Sequence, residues 1–568
     1  MNQQTTIPED PMSFLEFSSV LVFATHPGDE TIACAGLLAL CKRLDIPVRI
    51  VFVSSGESKD DEIEQQSRDA CRLLGIESID FWHESSGRID YNEQLIEHAR
   101  KIMFESSADL ILAPSTRETH PDRCAMAWVV IEASRRSLSY KPERKIALYE
   151  VEIPLTDNKT VLNVAAEETQ KRSASACYQK QNLVGQVIQA TEAFRILDSD
   201  SLSHPVLIDR PMLSPRVDSA RSAQYAKVSV LIRSIGRACL QRALDSIALQ
   251  TWPAIEIVLL NAKGPDHPEL NDHSSQVPLR LIDSDRPLSR TEAANRLLES
   301  ADGDYALFLD DDDWLAPDHI AHLVARLEQN PEAMAAYAGV EYGRLIDERW
   351  LPEHLYNATF DPFRLLFENF LPIHAVLFRL EFVRDRAGCR FDTALDVFED
   401  WDFWLQISEH GPMIETGHVS AYYLFNEQDG SGTHPTAERQ ISIEKLRRKW
   451  LKRLSEDRLL ELLDYLQQTY RNSSFNQQIV KQQQCEKHSL NEEMQALREI
   501  LIARNTEIDN YREHSANLES IIKAREEEIQ NYQQEIQNLR NALTTLRDAT
   551  KDRAWLMKKL LKPGMDHE

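Results

Sequence analysis

No stretch of this chain approaches the ~20 consecutive apolar residues that a membrane-spanning helix requires, and its start carries no basic-then-apolar leader. These two absences lead to the expectation of a cytoplasmic protein. Cysteine is sparse as well, with eight scattered through 568 residues and no CxxC pair. That excludes a disulfide framework or a thiolate zinc centre and fits a reducing compartment. Basic charge is also short: 64 Lys and Arg stand against 91 Asp and Glu, a net charge of −27. Neutralising phosphates needs a basic surface, so general nucleic-acid binding is excluded and any nucleotide must be held locally. What is present, 42% hydrophobic and 27% charged residues, describes a soluble globular chain. It is too long for one core and should divide into roughly three to four units.

The stretch with the most chemistry is Tyr305 to Pro317, YALFLDDDDWLAP. A short apolar run, long enough for a buried strand, ends in the four carboxylates Asp310 to Asp313. Adjacent carboxylates repel one another, so the arrangement is costly unless a hard cation sits among them, and oxygen ligands of this kind suit Mg²⁺ or Mn²⁺. A metal-bound diphosphate is then the natural partner. The plainer alternative is an acidic loop that caps the following helix.

Taken in order, residues 1–17 read as a flexible N-terminus. From Ser18 the chain alternates strand and helix: LVFATHPGDE, TIACAGLLALCKRL, VRIVFVSSGE, SRDACRLLGI. That alternation predicts a parallel α/β sheet with its site at the carboxyl ends of the strands. His26 and Asp29 fall in the first such loop, and His120 and Asp122 fall in THPDR after the later strand DLILAPS. Two His and two Asp at one sheet edge could hold zinc.

Over 18–197 the chain resembles the PIG-L-type de-N-acetylases, zinc enzymes that remove acetyl groups from N-acetylglucosamine conjugates. The family's AHPDDE appears as Thr25-His26-Pro27-Gly28-Asp29-Glu30, and its HPDH as His120-Pro121-Asp122-Arg123. The resemblance makes His26 and Asp29 zinc ligands, but Gly28 stands where the family has its general base and Arg123 where it has a third ligand. A catalytic zinc normally keeps three protein ligands and a base to activate its water. The expectation is a degenerate zinc site of His26, Asp29, His120 and Asp122, without zinc or hydrolysis, in a fold kept for sugar binding or packing. The alternative is a reorganised site completed by His120, Cys124 or Glu30.

Residues 198–226, rich in Ser, Pro and Asp, read as a linker. A second α/β unit, 227–435, begins at KVSVLIR. Its helix ending in ALQTWP, the segment SRTEAANRLLESADGDY, the acidic loop and FEDWDFWLQIS together resemble family 2 glycosyltransferases of the GT-A fold. The resemblance implies an inverting enzyme. Asp310, Asp311, Ser234, Asn261, Arg290 and Asn295 would bind a nucleotide-sugar, and Asp312, Asp310 and His418 would hold Mg²⁺ or Mn²⁺. Asp400 would deprotonate the acceptor hydroxyl, with Glu399 as second choice. Trp401, Phe403 and Trp404 offer flat surfaces for a sugar. The donor end departs from the family: Arg233-Ser234-Ile235-Gly236 replaces P-T-Y-N, and Asn261-Ala262-Lys263-Gly264 replaces D-D-G-S. His374 reads as a packing histidine, and His418, beyond the ED helix, as the better ligand.

Residues 436–475 read as a helical connector. From 490 to 548 a heptad repeat follows, with Met494, Leu501, Ile508, Ser515, Ile522, Ile529, Ile536 and Leu543 alternating with Leu497, Arg504, Tyr511, Leu518, Arg525, Tyr532, Leu539 and Leu546. Thirteen of these sixteen are apolar or aromatic, and ARNTEIDNY recurs as AREEEIQNY 21 residues later, three heptads on. Such register-keeping predicts a coiled coil and self-association. The tail 549–568, with RAWLMKKLLKP, suits either a peripheral membrane contact or packing on a partner. The expected fold class is therefore two Rossmann-like α/β domains followed by a coiled coil. The expected function is transfer of a sugar to a glycan or glycoconjugate acceptor in surface polysaccharide synthesis. Its rivals are a bifunctional deacetylase and transferase, and a sugar-binding scaffold without catalysis.

Overall fold

The structure, a computed structural model, describes residues 17–54, 61–156, 159–178, 190–211, 224–270, 277–346, 349–395, 397–425, 436–471 and 530–541. Continuous apolar runs, rather than strict alternation, mark strands covered on both faces. Val20–Ala24 (β1) and Leu110–Pro114 (β4) obey this rule, every residue being buried. With Val48–Ser54 (β2), Ser78–Glu84 (β3) and Lys145–Tyr149 (β5) they pair in parallel. Lys159–Asn163 (β6) and Thr191–Leu197 (β7) extend the sheet antiparallel, giving the order β3-β2-β1-β4-β5-β7-β6.

Helices cover both faces. Asp29–Arg43 (α1), Asp61–Leu74 (α2) and Glu168–Ser175 (α5) close one core, and Glu93–Ser106 (α3) and Pro121–Arg135 (α4) close the other. Helix α1 begins with Asp29 and Glu30 and ends with Lys42 and Arg43, the polarity that the helix dipole favours. Strand order reverses between β1 and β4, which opens a crevice at their carboxyl ends.

The second sheet repeats the logic. Val228–Ser234 (β8), Ile255–Asn261 (β9), Leu279–Ile282 (β10) and Tyr305–Asp310 (β11) are parallel in the order β10-β9-β8-β11, and the helix Leu240–Ala248 (α7) joins β8 to β9. Trp314–Leu315 (β12), Ala335–Ile346 (β13), Arg349–Tyr356 (β14), Val376–Arg379 (β15) and Met413–Leu424 (β16) complete nine strands, with β15 antiparallel to β11. Its switch point lies between β8 and β11. The two α/β sheet domains expected from the sequence are therefore present.

The segment 198–226, read as a linker, folds over its first part. Ser199–Ser203 (α6) is capped by Asp198 and followed by a 3-10 turn at Pro205–Leu207. Leu202 and Ile208 enter the core of the first sheet, while Val206 and Leu207 pack on Trp314, Trp350 and Tyr422 of the second. Tyr422 OH donates to Ser203 O at 3.3 Å, and Arg135 of α4 pairs with Asp318 at 2.7 Å. The two sheets thus form one compact unit, because apolar residues set among the Ser, Pro and Asp of this segment have cores on either side to enter.

A second unit comprises Phe363–Glu368 and the chain from Glu444. Within it Phe363 packs against Tyr465 with ring centroids 5.3 Å apart, and the Arg458 guanidinium lies 4.3 Å above the Phe363 ring. Of the heptads, 530–541 are helical, and the remainder of 490–548, like the tail 549–568, lies outside the described residues. Among the described residues, no helix is long and apolar enough to cross a membrane.

One buried ion pair ties the first sheet together. Lys171 Nζ of α5 lies 2.8 Å from Glu192 Oε1 on β7, each side chain 2% exposed, and the same carboxylate accepts from the Gly36 and Leu37 amides of α1. Removing the cation leaves a charge in the core. Lys171→Met is expected to lower the unfolding free energy by about 3–5 kcal/mol, read by urea denaturation, and Lys171→Met/Glu192→Gln to recover part of the loss.

Candidate functional site

Register creates the main site. On adjacent β8 and β11, Arg233 lies opposite Asp310. Its guanidinium meets Asp310 twice, Nε to Oδ1 at 2.6 Å and Nη2 to Oδ2 at 3.1 Å, and its Nη1 reaches Glu399 Oε1 at 2.8 Å. Arg290 opens the helix Arg290–Ser300 (α8), whose N-terminus carries a Ser289–Glu292 capping box. It contacts the same two carboxylates at 3.2 and 3.3 Å.

The rest of the acidic loop is paired too. Asp311 accepts from Arg237 Nη1 at 2.5 Å, Ser234 Oγ at 3.0 Å and the Ile235 amide at 2.9 Å. Asp313 accepts from the Leu424 amide and lies 3.0 Å from His374 Nδ1. Asp312 has Arg237 Nη1 at 3.4 Å as its ion-pair partner among the described residues. Arg233, Arg237 and Arg290, distant in sequence, converge on the loop and offset part of its charge, while donor oxygens of Asp310, Asp312 and Asp313 lie close enough to share one ion.

The electrostatics divide these acids into two kinds. Burial works to raise Asp310, but Arg233, Arg290 and Arg237 hold it well below the usual carboxylate range. Burial, and then Asp313 and Asp310, push Asp312 up to about 8. Asp400 is likewise raised, to about 6, by burial and then by its neighbour Glu399. Burial also acts on Glu399, yet Arg233 and Arg290 bring it below its ordinary value.

Glu399 and Asp400 open the helix Glu399–Ser408 (α10) behind Phe398, a non-glycine residue at φ 64°. Such a conformation is held only where the surroundings demand it. Asp400 Oδ2 accepts from Asn369 Nδ2 at 3.1 Å, and its Oδ1 accepts from the Trp401 amide. Asp310, Asp313, His374, Glu399 and Asp400 all line one cleft of about 290 Å³. Tyr342, Tyr356, Tyr423 and Phe425 form its aromatic walls.

Several expected residues lie elsewhere. Trp401, Phe403 and Trp404 are core: Phe403 stacks on Phe391 at 4.3 Å and Trp404 Nε1 donates to Leu371 O. Helical geometry turns these large apolar side chains inward while the two acids at the helix start face the cleft. Asn261 closes its own turn, accepting from the Lys263 and Gly264 amides and donating to Gly264 O. Asn295 clamps the Phe391 backbone in both directions. Ser234 is fully buried behind the loop, bonded to Asp311 and His267. His418, expected at the acidic loop, instead faces Asp318 and His322. His374 thus stands at the acidic loop where His418 was expected, because β16 presents position 418 away from Asp313 and the turn before β15 brings His374 to it. Arg233, Arg237, Asn369 and the cleft tyrosines were missed; only the pairing of β8 with β11 could have revealed Arg233.

The first switch point holds the other cluster. Gly28 precedes α1 at φ 101°, a left-handed backbone that an aspartate would adopt only under strain. His26 Nε2 lies 3.1 Å from Asp122 Oδ2, and the His26 and His120 rings meet edge-on at 4.6 Å. Donor atoms of these three residues are close enough to share one ion. Asp29 is not one of the three, though its Oδ2 accepts from the His26 amide at 3.0 Å and lies 3.8 Å from His26 Nδ1; Arg123 binds its Oδ1 at 2.8 Å and reaches Glu152 at 2.6 Å. A guanidinium therefore already neutralises the carboxylate. Glu30 bonds Gly28, Thr31 and Tyr178, and Cys124 donates to Glu118 O, so both alternative ligands are engaged elsewhere.

These two sites belong to recognisable classes. Residues 21–134 match the family model for GlcNAc-PI de-N-acetylase (PIG-L), and residues 229–386 match that for glycosyl transferase family 2. The chain thus carries a de-N-acetylase-like segment followed by a glycosyltransferase segment, and a glycosyl-transfer role is supported. Among particular proteins, it is similar to "Uncharacterized glycosyltransferase YwdF" of Bacillus subtilis, 25% identical over 234 residues that make up 40% of this chain and 83% of that one. Staphylococcus aureus TarS 1-349, solved with UDP-GlcNAc, aligns over 37% of this chain and 62% of its own at 15% identity and a TM-score of 0.32. The N,N'-diacetylchitobiose deacetylase of Pyrococcus horikoshii aligns over 33% and 86% at 17% identity and a TM-score of 0.27.

If Arg123 is what keeps a dication from Asp29, freeing that carboxylate should admit one. Arg123→His is expected to bind one zinc more per chain than the parent does, and His26→Ala in that background to lose it, as read by metal analysis of the purified protein.

Proposed function

We propose that the second lobe transfers a sugar from a nucleotide-sugar donor to a hydroxyl of a glycan or glycoconjugate, with inversion, in the synthesis of a surface polysaccharide. One observation carries this reading: the acidic loop and the Glu399-Asp400 pair face a single cleft and are joined through Arg233. Asp310, Asp312 and Asp313 present oxygen donors within reach of one ion, a set that fits Mg²⁺ or Mn²⁺. Asp312, the least engaged of them, is the direct ligand. When bound, the ion offsets charge on the leaving diphosphate. Arg290, half-exposed at a helix N-terminus, suits the same phosphates.

Asp400 is the base. A buried carboxyl raised to about 6 is still ionised at neutral pH and is a stronger proton acceptor than an ordinary aspartate. Asn369 orients it towards the acceptor hydroxyl, whose oxygen attacks the anomeric carbon as the diphosphate leaves. The cleft tyrosines and Phe425 offer the stacking surface for the acceptor.

The first lobe is read as a sugar-binding or packing domain without hydrolysis, since Arg123 holds Asp29 and Gly28 supplies no base. A second reading, a deacetylase as well as a transferase, is favoured by the grouping of His26, His120 and Asp122. Acetate release from an N-acetylglucosamine conjugate, abolished by His26→Ala, would establish it.

Asp312→Ala is expected to abolish Mn²⁺-dependent binding of nucleoside diphosphates, followed by thermal shift. Asp400→Asn should leave that binding intact and lower kcat by about 10²–10⁴-fold. Turnover of the parent should fall as pH drops through about 6, because Asp400 is then protonated. Unchanged turnover in Asp400→Asn would remove it from the role of base.

We read the protein as a cytoplasmic enzyme with a tail suited to the inner face of a membrane, and the heptads support its self-association. Light scattering should give the full chain at least twice its 65.2 kDa mass and a chain ended near Asn472 a single mass. Monomers in both cases would show that the heptads do not associate.

A further inference from the structure

The junction of the two sheets carries a cluster that the transfer reaction does not use. Helix His319–Gln329 (α9) starts directly after the acidic loop and β12, with Asp318 before its first turn and His322 one turn on. His418 comes from β16 across the sheet. Asp318 Oδ2 lies 3.3 Å from His418 Nε2 and 3.6 Å from His322 Nδ1, and the two rings meet edge-on at 4.5 Å. Two ligands on a tetrahedral zinc with bonds of ~2.0–2.1 Å stand about 3.3–3.4 Å apart; the two carboxylate-to-histidine separations are close to that, and all three donor atoms lie within 4.8 Å of one another.

A second observation points the same way. Asp318 is 3% exposed, yet its Oδ1 has no hydrogen-bond partner among the described residues. Unsatisfied polar atoms of this kind are costly unless something binds them. Arg135 sits 2.7 Å from Asp318 Oδ2 and at first opposes a cation. Its other contacts go to Glu132 at 2.7 and 2.8 Å, a carboxylate it shares with Arg136 at 2.7 Å. Arg135 acts as an outer partner that orients the carboxylate, which keeps lone pairs on both oxygens.

We propose that Asp318, His322 and His418 bind one zinc ion, or a dication of the same borderline class, separate from the ion at the acidic loop. The half-exposed histidines leave its fourth position to water. The ion staples α9 to β16. Both elements flank Asp313, since α9 follows the acidic loop and β16 donates the Leu424 amide to that carboxylate. The site is thus a structural clamp on the floor of the cleft, and through Arg135 it reaches the first sheet.

The test uses the full chain, stripped with a chelator and returned to Zn²⁺ or Co²⁺. The parent should take up one zinc that His322→Ala and His418→Ala each lose, while His26→Ala and Asp312→Asn keep it. Co²⁺ should give the visible absorption of a tetrahedral N/O site in the parent and not in His418→Ala. Zinc should also raise the melting temperature of the parent only. Since His322 is half-exposed on a helix, His322→Gln gives the same reading without risk to the fold. Equal zinc content in the parent and both histidine variants, or no stoichiometric binding by the parent, overturns the proposal.

Discussion

The Arg233 side chain leaves β8 beside Asp310 and crosses to Glu399, so one buried guanidinium links the strand that ends in the acidic loop to the helix that carries the candidate base. Without it, two buried carboxylates would face each other across a low-dielectric cleft, and neither the loop nor the helix start could hold its position. Every other contact of the site is arranged around that bridge. Arg290 reinforces it from α8, Arg237 secures the next carboxylate, and His374 secures the last. The division of labour among the acids follows from this geometry: Asp310 and Glu399, gripped by Arg233 and Arg290, are held below their ordinary values, and burial lifts Asp312, Asp313 and Asp400.

The same principle, an arginine answering a carboxylate, governs the first lobe with the opposite consequence. Arg123 enters the crevice between β1 and β4 and pairs with Asp29, so the residue that would bind a metal is neutralised from within. Gly28 fits the left-handed turn ahead of α1, where an aspartate would meet backbone strain. At the junction, Arg135 shows a third use of the same side chain, joining the sheets while it orients Asp318.

Much of this was legible in the chain alone. Apolar strands alternating with helices defined both α/β sheets, and the carboxylates and histidines expected just past the ends of β1, β4 and β11 stand there, because strand period and turn residues are local properties. The acidic run and the Glu-Asp pair stood out for the same reason. Charge balance was not legible, since it depends on residues 233, 237, 290 and 374 meeting residues 310 to 313 through strand register and helix placement. Nor was the direction of a side chain: Trp401 and Trp404 looked like sugar platforms and are core, and His374, not His418, meets the acidic loop. The sequence by itself determined which segments become strands and helices and which carboxylates stand at strand ends. Only tertiary structure decided which cation answers each carboxylate and which histidine faces which acid, because those contacts join residues that only folding brings within hydrogen-bonding distance.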